Sequence, residues 1–372
     1  MNLLVIGNGF DLAHHLPTQY SDFLDFVNAF IKSDGSVYSR FISQLMSTND
    51  RLYLEIEALI KDNILIEYFL SIYKERCKAG KKGWIDFENE VAEIVQNLDE
   101  AKQYVEKEYA TTNEPVTLEK GLARKLMPII KNKKEIPADA YVSPSQYEPR
   151  FFEYQSRRIL DALNRLTRLL EIYLYEYVEK QECSYRLCDF EEFGIDHVLS
   201  FNYTDTYRKY YDPEEKAKYC YIHGRVKEGN TETCDLVLGI NEYLSSDRMD
   251  SDNQFLWFKK FYQRIYKETG SEYLDWMDSF VENNKACAKL NPVHTNIYIY
   301  GHSLDVTDKD VLSKLILLEN STTHIFYHNK DAMAKQISNL VKVIGEEMLV
   351  KMTGGKDSRI RFIKALDAVK SH

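Results

Sequence analysis

Short, mainly apolar runs that stop at a glycine or a polar cluster recur far apart in this chain, and they point to a parallel α/β sheet. Asn2-Leu3-Leu4-Val5-Ile6 halts at Gly7-Asn8-Gly9-Phe10-Asp11. Residues 197–201 lead into Asn202-Tyr203-Thr204-Asp205, 219–222 into His223-Gly224, and 297–300 into Gly301-His302-Ser303-Leu304-Asp305. A strand without polar alternation is buried on both faces, as in parallel sheets covered by helices. Ligands of such sheets sit outside the carboxyl ends of the strands. These polar strand ends are therefore expected to converge on one crevice.

Helical periodicity fills much of the rest. Phe23, Phe26, Val27 and Phe30 recur at three- and four-residue steps over 20–31. Residues 52–73 and 84–97 also read as helices, joined by the turn Gly80-Lys81-Lys82-Gly83. Ile159, Leu163, Leu166, Leu170, Tyr173 and Tyr177 lay one apolar stripe along 150–181. Five of the eight prolines fall between Pro115 and Pro149, which argues for an irregular excursion there.

The expected architecture is a Rossmann-like parallel sheet with helices on both faces and a large, mainly helical insertion. Residues 1–30 and 190–350 are expected to form the Rossmann-like core, and 31–189 the insertion, with an irregular Pro-rich stretch at 112–150. Residues 250–291 are expected to form a helical cap, and 351–372 a C-terminal tail or helix whose Lys356, Arg359, Arg361, Lys364 and Lys370 read as a solvated helix face. Further strand-like runs lie at 236–238 and 324–327.

Composition narrows the function classes. The net charge is −10, from 48 basic and 58 acidic residues, so nucleic acid is not expected as the main partner. No apolar stretch reaches the roughly 20 residues that span a bilayer. Residues 1–6 lack the basic start and long apolar middle of a secretion signal, and six scattered cysteines suit reduced thiols, so a cytoplasmic location is expected. Cys183-x4-Cys188 followed by Cys220 and His223 does not have the spacing of a known zinc finger, and no metal is expected.

Each polar strand end has a structural explanation beside a functional one. Gly7, Asn8 and Gly9 suit backbone amides close to a diphosphate; equally, they form a tight turn that Asp11 caps. A carboxylate repels a diphosphate, so the functional role for Asp11 is a ribose hydroxyl. Asn202 offers a donor and an acceptor to a water or sugar hydroxyl, or closes an Asx-turn. His223 is delivered to a glycine turn and is the side chain most easily tuned as a base near neutral pH. Gly301, His302 and Ser303 suit a phosphate or ribose, while Asp305 stands where a nucleophile elbow needs its last glycine. Asn329 follows the next strand, where a doubly wound fold meets an adenosine ribose. Asp86 and Glu88 are two apart and share no helix face, which favours a helix start over catalysis. A nuclease would need them clustered with Asp11 around a metal.

On these segments the chain resembles the bacterial abortive-infection AbiH family, implicated in defence against phage. The resemblance is carried by Gly7 to Ala13 running through Leu16-Pro17-Thr18-Gln19-Tyr20-Ser21-Asp22-Phe23-Leu24, by Ser200 to Thr204, Ile222-His223-Gly224, Leu238-Gly239-Ile240-Asn241 and Tyr300 to Asp305. The order of motifs is also similar to the sirtuin-like NAD-binding fold of several antiphage NAD hydrolases, although Asp11 replaces the loop serine and Thr204 stands where that fold has Asp. The second resemblance implies NAD, or NADP or another nucleotide, as substrate or ligand. His223 and Asn202 would be catalytic, with Gly7, Asn8, Gly9, Asp11, Thr204, Gly301, His302, Ser303 and Asn329 binding the nucleotide. It implies cleavage of the nicotinamide–ribose bond, triggered by a phage or host protein; a nucleotide-binding sensor without turnover is the alternative. A homo-oligomer is compatible with either.

Overall fold

In the computed structural model, residues 1–32, 36–80, 85–127, 141–143, 146–187, 190, 193–240, 254–287, 294–356 and 358–370 are described. The central feature is a six-stranded sheet of β1 (Asn2–Ile6), β2 (His197–Ser200), β3 (Lys218–Tyr221), β4 (Thr295–Tyr300), β5 (Ser321–Tyr327) and β6 (Ile360–Lys364). Its order is β6-β5-β4-β1-β2-β3, and every neighbouring pair is parallel. This is the doubly wound order of a Rossmann-like fold, and the chain reverses its winding between β1 and β4.

The expected parallel sheet is thus present, and its burial explains why. Leu3 and Val5 face one core with Leu199, Ile297, Ile299 and Ile325, covered by Val311, Leu312, Leu315 and Ile316 of the helix Lys309–Ile316 and by Leu340 and Val343 of Lys330–Ile344. Leu4 and Ile6 face the other core with Val198, Tyr300 and Phe326, covered by Phe10, Phe190 and Tyr207. Successive residues of β1 therefore enter opposite cores, and each buried aliphatic side chain contributes about 1.5–3 kcal/mol.

The chain divides into two compact units, one of Met1–Gln19, Ile172–Glu228 and Lys267–His372, the other of Tyr20–Glu171 and Gly229–Tyr266. The first holds the whole six-stranded sheet and the helix Tyr273–Cys287. The second contains the helices Tyr20–Lys32, Ser39–Thr48, Asp50–Ile60, Ile64–Lys78, Phe87–Thr112, Lys120–Leu126 and Lys260–Tyr266, most of Pro149–Ile172, and a small three-stranded sheet. Phe69 and Phe87 stack in it at 4.4 Å. Among the described residues, no helix is long and apolar enough to cross a membrane.

Several elements differ from the sequence reading. The C-terminal segment expected as a tail or helix supplies β6, paired with β5, and Val369–Lys370 pairs antiparallel with Tyr185–Arg186. β6 is an edge strand whose basic Arg361 and Lys364 suit an unpaired border. The helix read over 52–73 is broken in two because buried Asn63 accepts from Leu65 and Ile66 amides as an N-cap. Residues 236–238 form no strand; the Gln263 amide holds Leu238 at both its N–H and C=O instead. The stripe over 150–181 changes at Tyr173–Val178 into a π-helical turn. Asp86 caps the helix Phe87–Thr112, and Glu88 pairs with Lys260 at 2.8 Å, the helix-start role read for them. Trp84, Cys188, Asn241 and much of the Pro-rich stretch lie outside the described residues.

Candidate functional site

The site lies wholly in the first unit, at the carboxyl ends of β1, β2, β3 and β4. The loop after β1 is stitched to the loop after β4. Gly7 N–H donates to the Tyr300 carbonyl at 3.1 Å and Gly9 N–H to the Gly301 carbonyl at 2.8 Å. A Cβ on Gly9 would lie 2.7 Å from Gly301 Cα, and Gly301 itself has φ +67° with no room for a side chain against Phe10 and Gly9. The glycines thus permit two backbones to touch at the point where the winding reverses. Their amides are engaged and do not face outward, which differs from the diphosphate cradle expected of them. Asn8 exchanges hydrogen bonds with Thr18, through Thr18 Oγ1 to Asn8 Oδ1 at 2.7 Å and Asn8 Nδ2 to the Thr18 carbonyl at 3.3 Å.

Beneath that loop is a buried polar group. Asp11 is 1% exposed and Asn202 4%. Thr204 Oγ1 donates to Asp11 Oδ2 at 2.6 Å, and Thr206 Oγ1 donates to Thr204 Oγ1 at 3.3 Å. Among the described residues, Asp11 Oδ1 has no hydrogen-bond partner, and neither does Oδ1 or Nδ2 of Asn202. Burial pushes the Asp11 carboxyl up to about 6, against the opposing pull of Thr204, Thr206 and Asn202. The Asn202 amide thus lies close enough to favour the Asp11 charge without a contact of hydrogen-bond geometry. The backbone of Asn202 is fixed by Ser200 Oγ, which accepts from its N–H and donates to its C=O, both at 3.1 Å. An amide held this firmly yet left unpaired in the interior costs about 1–3 kcal/mol.

His223 leaves the neighbouring strand end. Ser200 pairs with Tyr221 in the β2–β3 register, and Ile222 N–H still donates to the Ser200 carbonyl, so Asn202 and His223 leave adjacent strand ends. His223 Nε2 lies 3.1 Å from Asp308 Oδ1, and His302 Nε2 lies 3.6 Å from Asp308 Oδ2. His302 Nδ1 accepts from Leu304 N–H at 2.9 Å, which places its own proton on Nε2, toward Asp308. The Phe201 ring contacts both imidazoles, at 4.3 Å from His302 and 5.6 Å from His223. His302 is therefore a buried partner of Asp308.

The remaining expected residues stand apart from this centre. Ser303 is exposed, and its carbonyl accepts from Asn339. Asn329 is exposed and caps the helix Lys330–Ile344 through Ala332 N–H at 2.8 Å. Asp205 pairs with Arg225 at 2.8 Å. The Cys220 thiol donates to Glu272 at 3.2 Å, and among the described residues no three His, Cys, Asp or Glu side chains are grouped to hold a metal.

Three site residues escaped the sequence reading: Thr206, Asp308 and Glu179. Glu179 follows the π-helical turn, an irregularity frequent at functional sites, and its Oε1 accepts from Asp205 N–H at 2.8 Å. Burial pushes its carboxyl up to about 7.

No curated protein and no solved structure gives a match to this chain. The family model described as Bacteriophage abortive infection AbiH matches residues 3–328, a span that takes in every residue of the site. The chain belongs to that abortive-infection family.

Proposed function

We propose that this member of an abortive-infection family is an effector that cleaves the nicotinamide–ribose bond of NAD, or the equivalent bond of a related nucleotide, when infection is sensed. The observation that carries the reading is the unpaired Asn202 amide beside the unpaired Oδ1 of Asp11. A ribosyl group supplies what both lack: its hydroxyls donate to the carboxylate and exchange hydrogen bonds with the amide.

The chemistry follows from these groups. The C1′–N bond breaks with its electron pair going to the pyridinium nitrogen, and positive charge develops on C1′ and the ring oxygen. An ionised Asp11 in a water-poor setting stabilises that charge. With its carboxyl near 6, Asp11 is mostly ionised at neutral pH despite its burial. Water then attacks C1′, and His223, oriented by Asp308, takes the proton. Asn202 positions the ribose. No metal is needed in this scheme.

The test is release of free nicotinamide by the purified chain and by infected cells. Asn202→Ala and His223→Ala each lower the rate by about a hundredfold or more. Undiminished release by both variants, or none in infected cells expressing the parent chain, overturns the proposal. A second reading, a nucleotide sensor without turnover, is favoured by the burial of Asp11, Asn202, His223 and His302. Calorimetric binding without any product by mass spectrometry selects it.

A further inference from the structure

The engaged amides of Gly7 and Gly9 leave open where the phosphates of such a nucleotide go. A cleft of about 350 Å³ opens nearby, lined in part by Lys180, Gln181, Ser184, Lys209 and Tyr210. It adjoins a space of about 10 Å³, room for about one water, that shares Lys209 and Tyr210 and is also lined by Glu179, Thr204 and Thr206. Thr204 is the residue that holds Asp11. The two spaces thus share Lys209 and Tyr210, and the inner one reaches Thr204 beside the buried polar group. Thr206 and Tyr210 are one turn apart in the helix Thr206–Tyr211, a rise of about 6 Å, close to the width of one sugar.

The charges of the cleft are unusual for a chain of net charge −10. Lys209, in the lining, lies 5.2 Å from the ring of the lining residue Tyr210, and Arg186, outside the lining itself, stacks over the same ring at 4.4 Å. Both cations donate to backbone carbonyls: Arg186 to Cys183 and Tyr185, at 3.0 and 2.9 Å, and Lys209 to Glu179 at 2.7 Å. Neither forms an ion pair among the described residues. Lys180, by contrast, is paired with Glu176, and Glu182 is exposed at the rim. Two cations close to one aromatic ring suit an anion that also carries a planar group, although Lys209 also feels the Glu179 carboxylate.

We propose that this cleft binds the phosphate-bearing part of the nucleotide, with Lys209 and Arg186 on the phosphates and Tyr210 beside them, while the ribosyl end reaches Asp11 and Asn202. This rests on the nucleotide reading of the site. It moves the diphosphate from the glycine loop to the segment after the π-helical turn.

The experiment is isothermal titration of the full chain with ADP-ribose, which carries the phosphates, and with nicotinamide riboside, which carries none. In Lys209→Ala and Arg186→Ala the ADP-ribose affinity falls roughly ten- to a hundredfold, the scale of one charged hydrogen bond. Nicotinamide riboside affinity stays within about twofold, the spread expected without a lost charged contact. Lys209→Arg restores most of the ADP-ribose affinity, and thermal melts confirm that each variant is folded. Unchanged ADP-ribose binding in both Ala variants overturns the cleft and leaves the nucleotide reading standing. An equal loss for both ligands also overturns it, since that is the mark of a structural role. Binding of neither ligand by the parent chain overturns the cleft and the nucleotide reading together.

Discussion

Replacing Asp11 with Asn should make the protein more stable and less active. The carboxyl is fully buried, and its ionisation is moved from 3.8 to about 6. Carrying that charge at neutral pH therefore costs the folded state about 3 kcal/mol. The direction with pH follows from proton binding. Between pH 4 and 6 the folded state holds the Asp11 proton while the unfolded chain has released it, so the Asp11 contribution to stability falls as pH rises and is constant above about 7. Asn keeps an oxygen for Thr204 Oγ1 and removes the charge. Urea unfolding of the parent and Asp11→Asn chains, followed from pH 4 to pH 8, gives the comparison. Taking the difference between the two curves cancels groups that do not feel the Asp11 charge; Glu179, whose carboxyl that charge helps to hold up, does not cancel and adds to the variant's gain in the same direction. The variant's advantage should grow from near zero at pH 4 to about 3 kcal/mol at pH 7, with turnover or ribosyl binding reduced. A variant less stable at pH 7, or a difference that does not change with pH, would falsify the reasoning that Asp11 is an uncompensated charge kept for function.

Other substitutions test the frame around the site. Gly301→Ala places a Cβ against Phe10 N and 2.5 Å from Gly9 C at a φ of +67°, so chemical denaturation should show a loss of about 3–5 kcal/mol from overpacking and backbone strain; a loss below about 1 kcal/mol contradicts the stitched loops. Gly121→Ala, in the helix Lys120–Leu126 with nothing within 4 Å of the new Cβ, should instead raise stability by about 0.5–1 kcal/mol in the same assay. Asn63→Ala removes the cap of Ile64–Lys78 and bonds to the Leu59 and Ala162 carbonyls, for an expected loss of about 2–4 kcal/mol on thermal unfolding. Asp308→Asn should leave ligand affinity largely intact but shift the pH–rate profile, because His223 loses the carboxylate 3.1 Å away; an unmoved profile removes His223 from the proton-transfer role.

β1 was legible because burial on both faces leaves an apolar run that stops at a glycine, and β2, β3 and β4 because their short, mainly apolar runs end in polar or glycine-bearing turns. Asn202 and His223 were legible for a related reason, since each follows directly on the end of such a run. The glycine loop was read only halfway. Sequence says that bare backbone is required at Gly9, but not whether a phosphate or Gly301 approaches it. Asp308 and Glu179 were hidden because their roles are tertiary: one follows β4 by a short 3-10 turn, the other ends a helix whose stripe gives no hint of a π-helical turn. β6 was missed because Arg361 and Lys364 resemble a solvated helix face. At a sheet edge, that same composition is what keeps a strand from pairing further.

A structure of the chain with ADP-ribose bound addresses the account most directly. The account places a ribose hydroxyl within hydrogen-bond distance of Asp11 Oδ1, the Asn202 amide on the same sugar, and the phosphates toward Lys209 and Arg186. A ligand seated elsewhere, with Asp11 and Asn202 satisfied by each other or by ordered water, contradicts it.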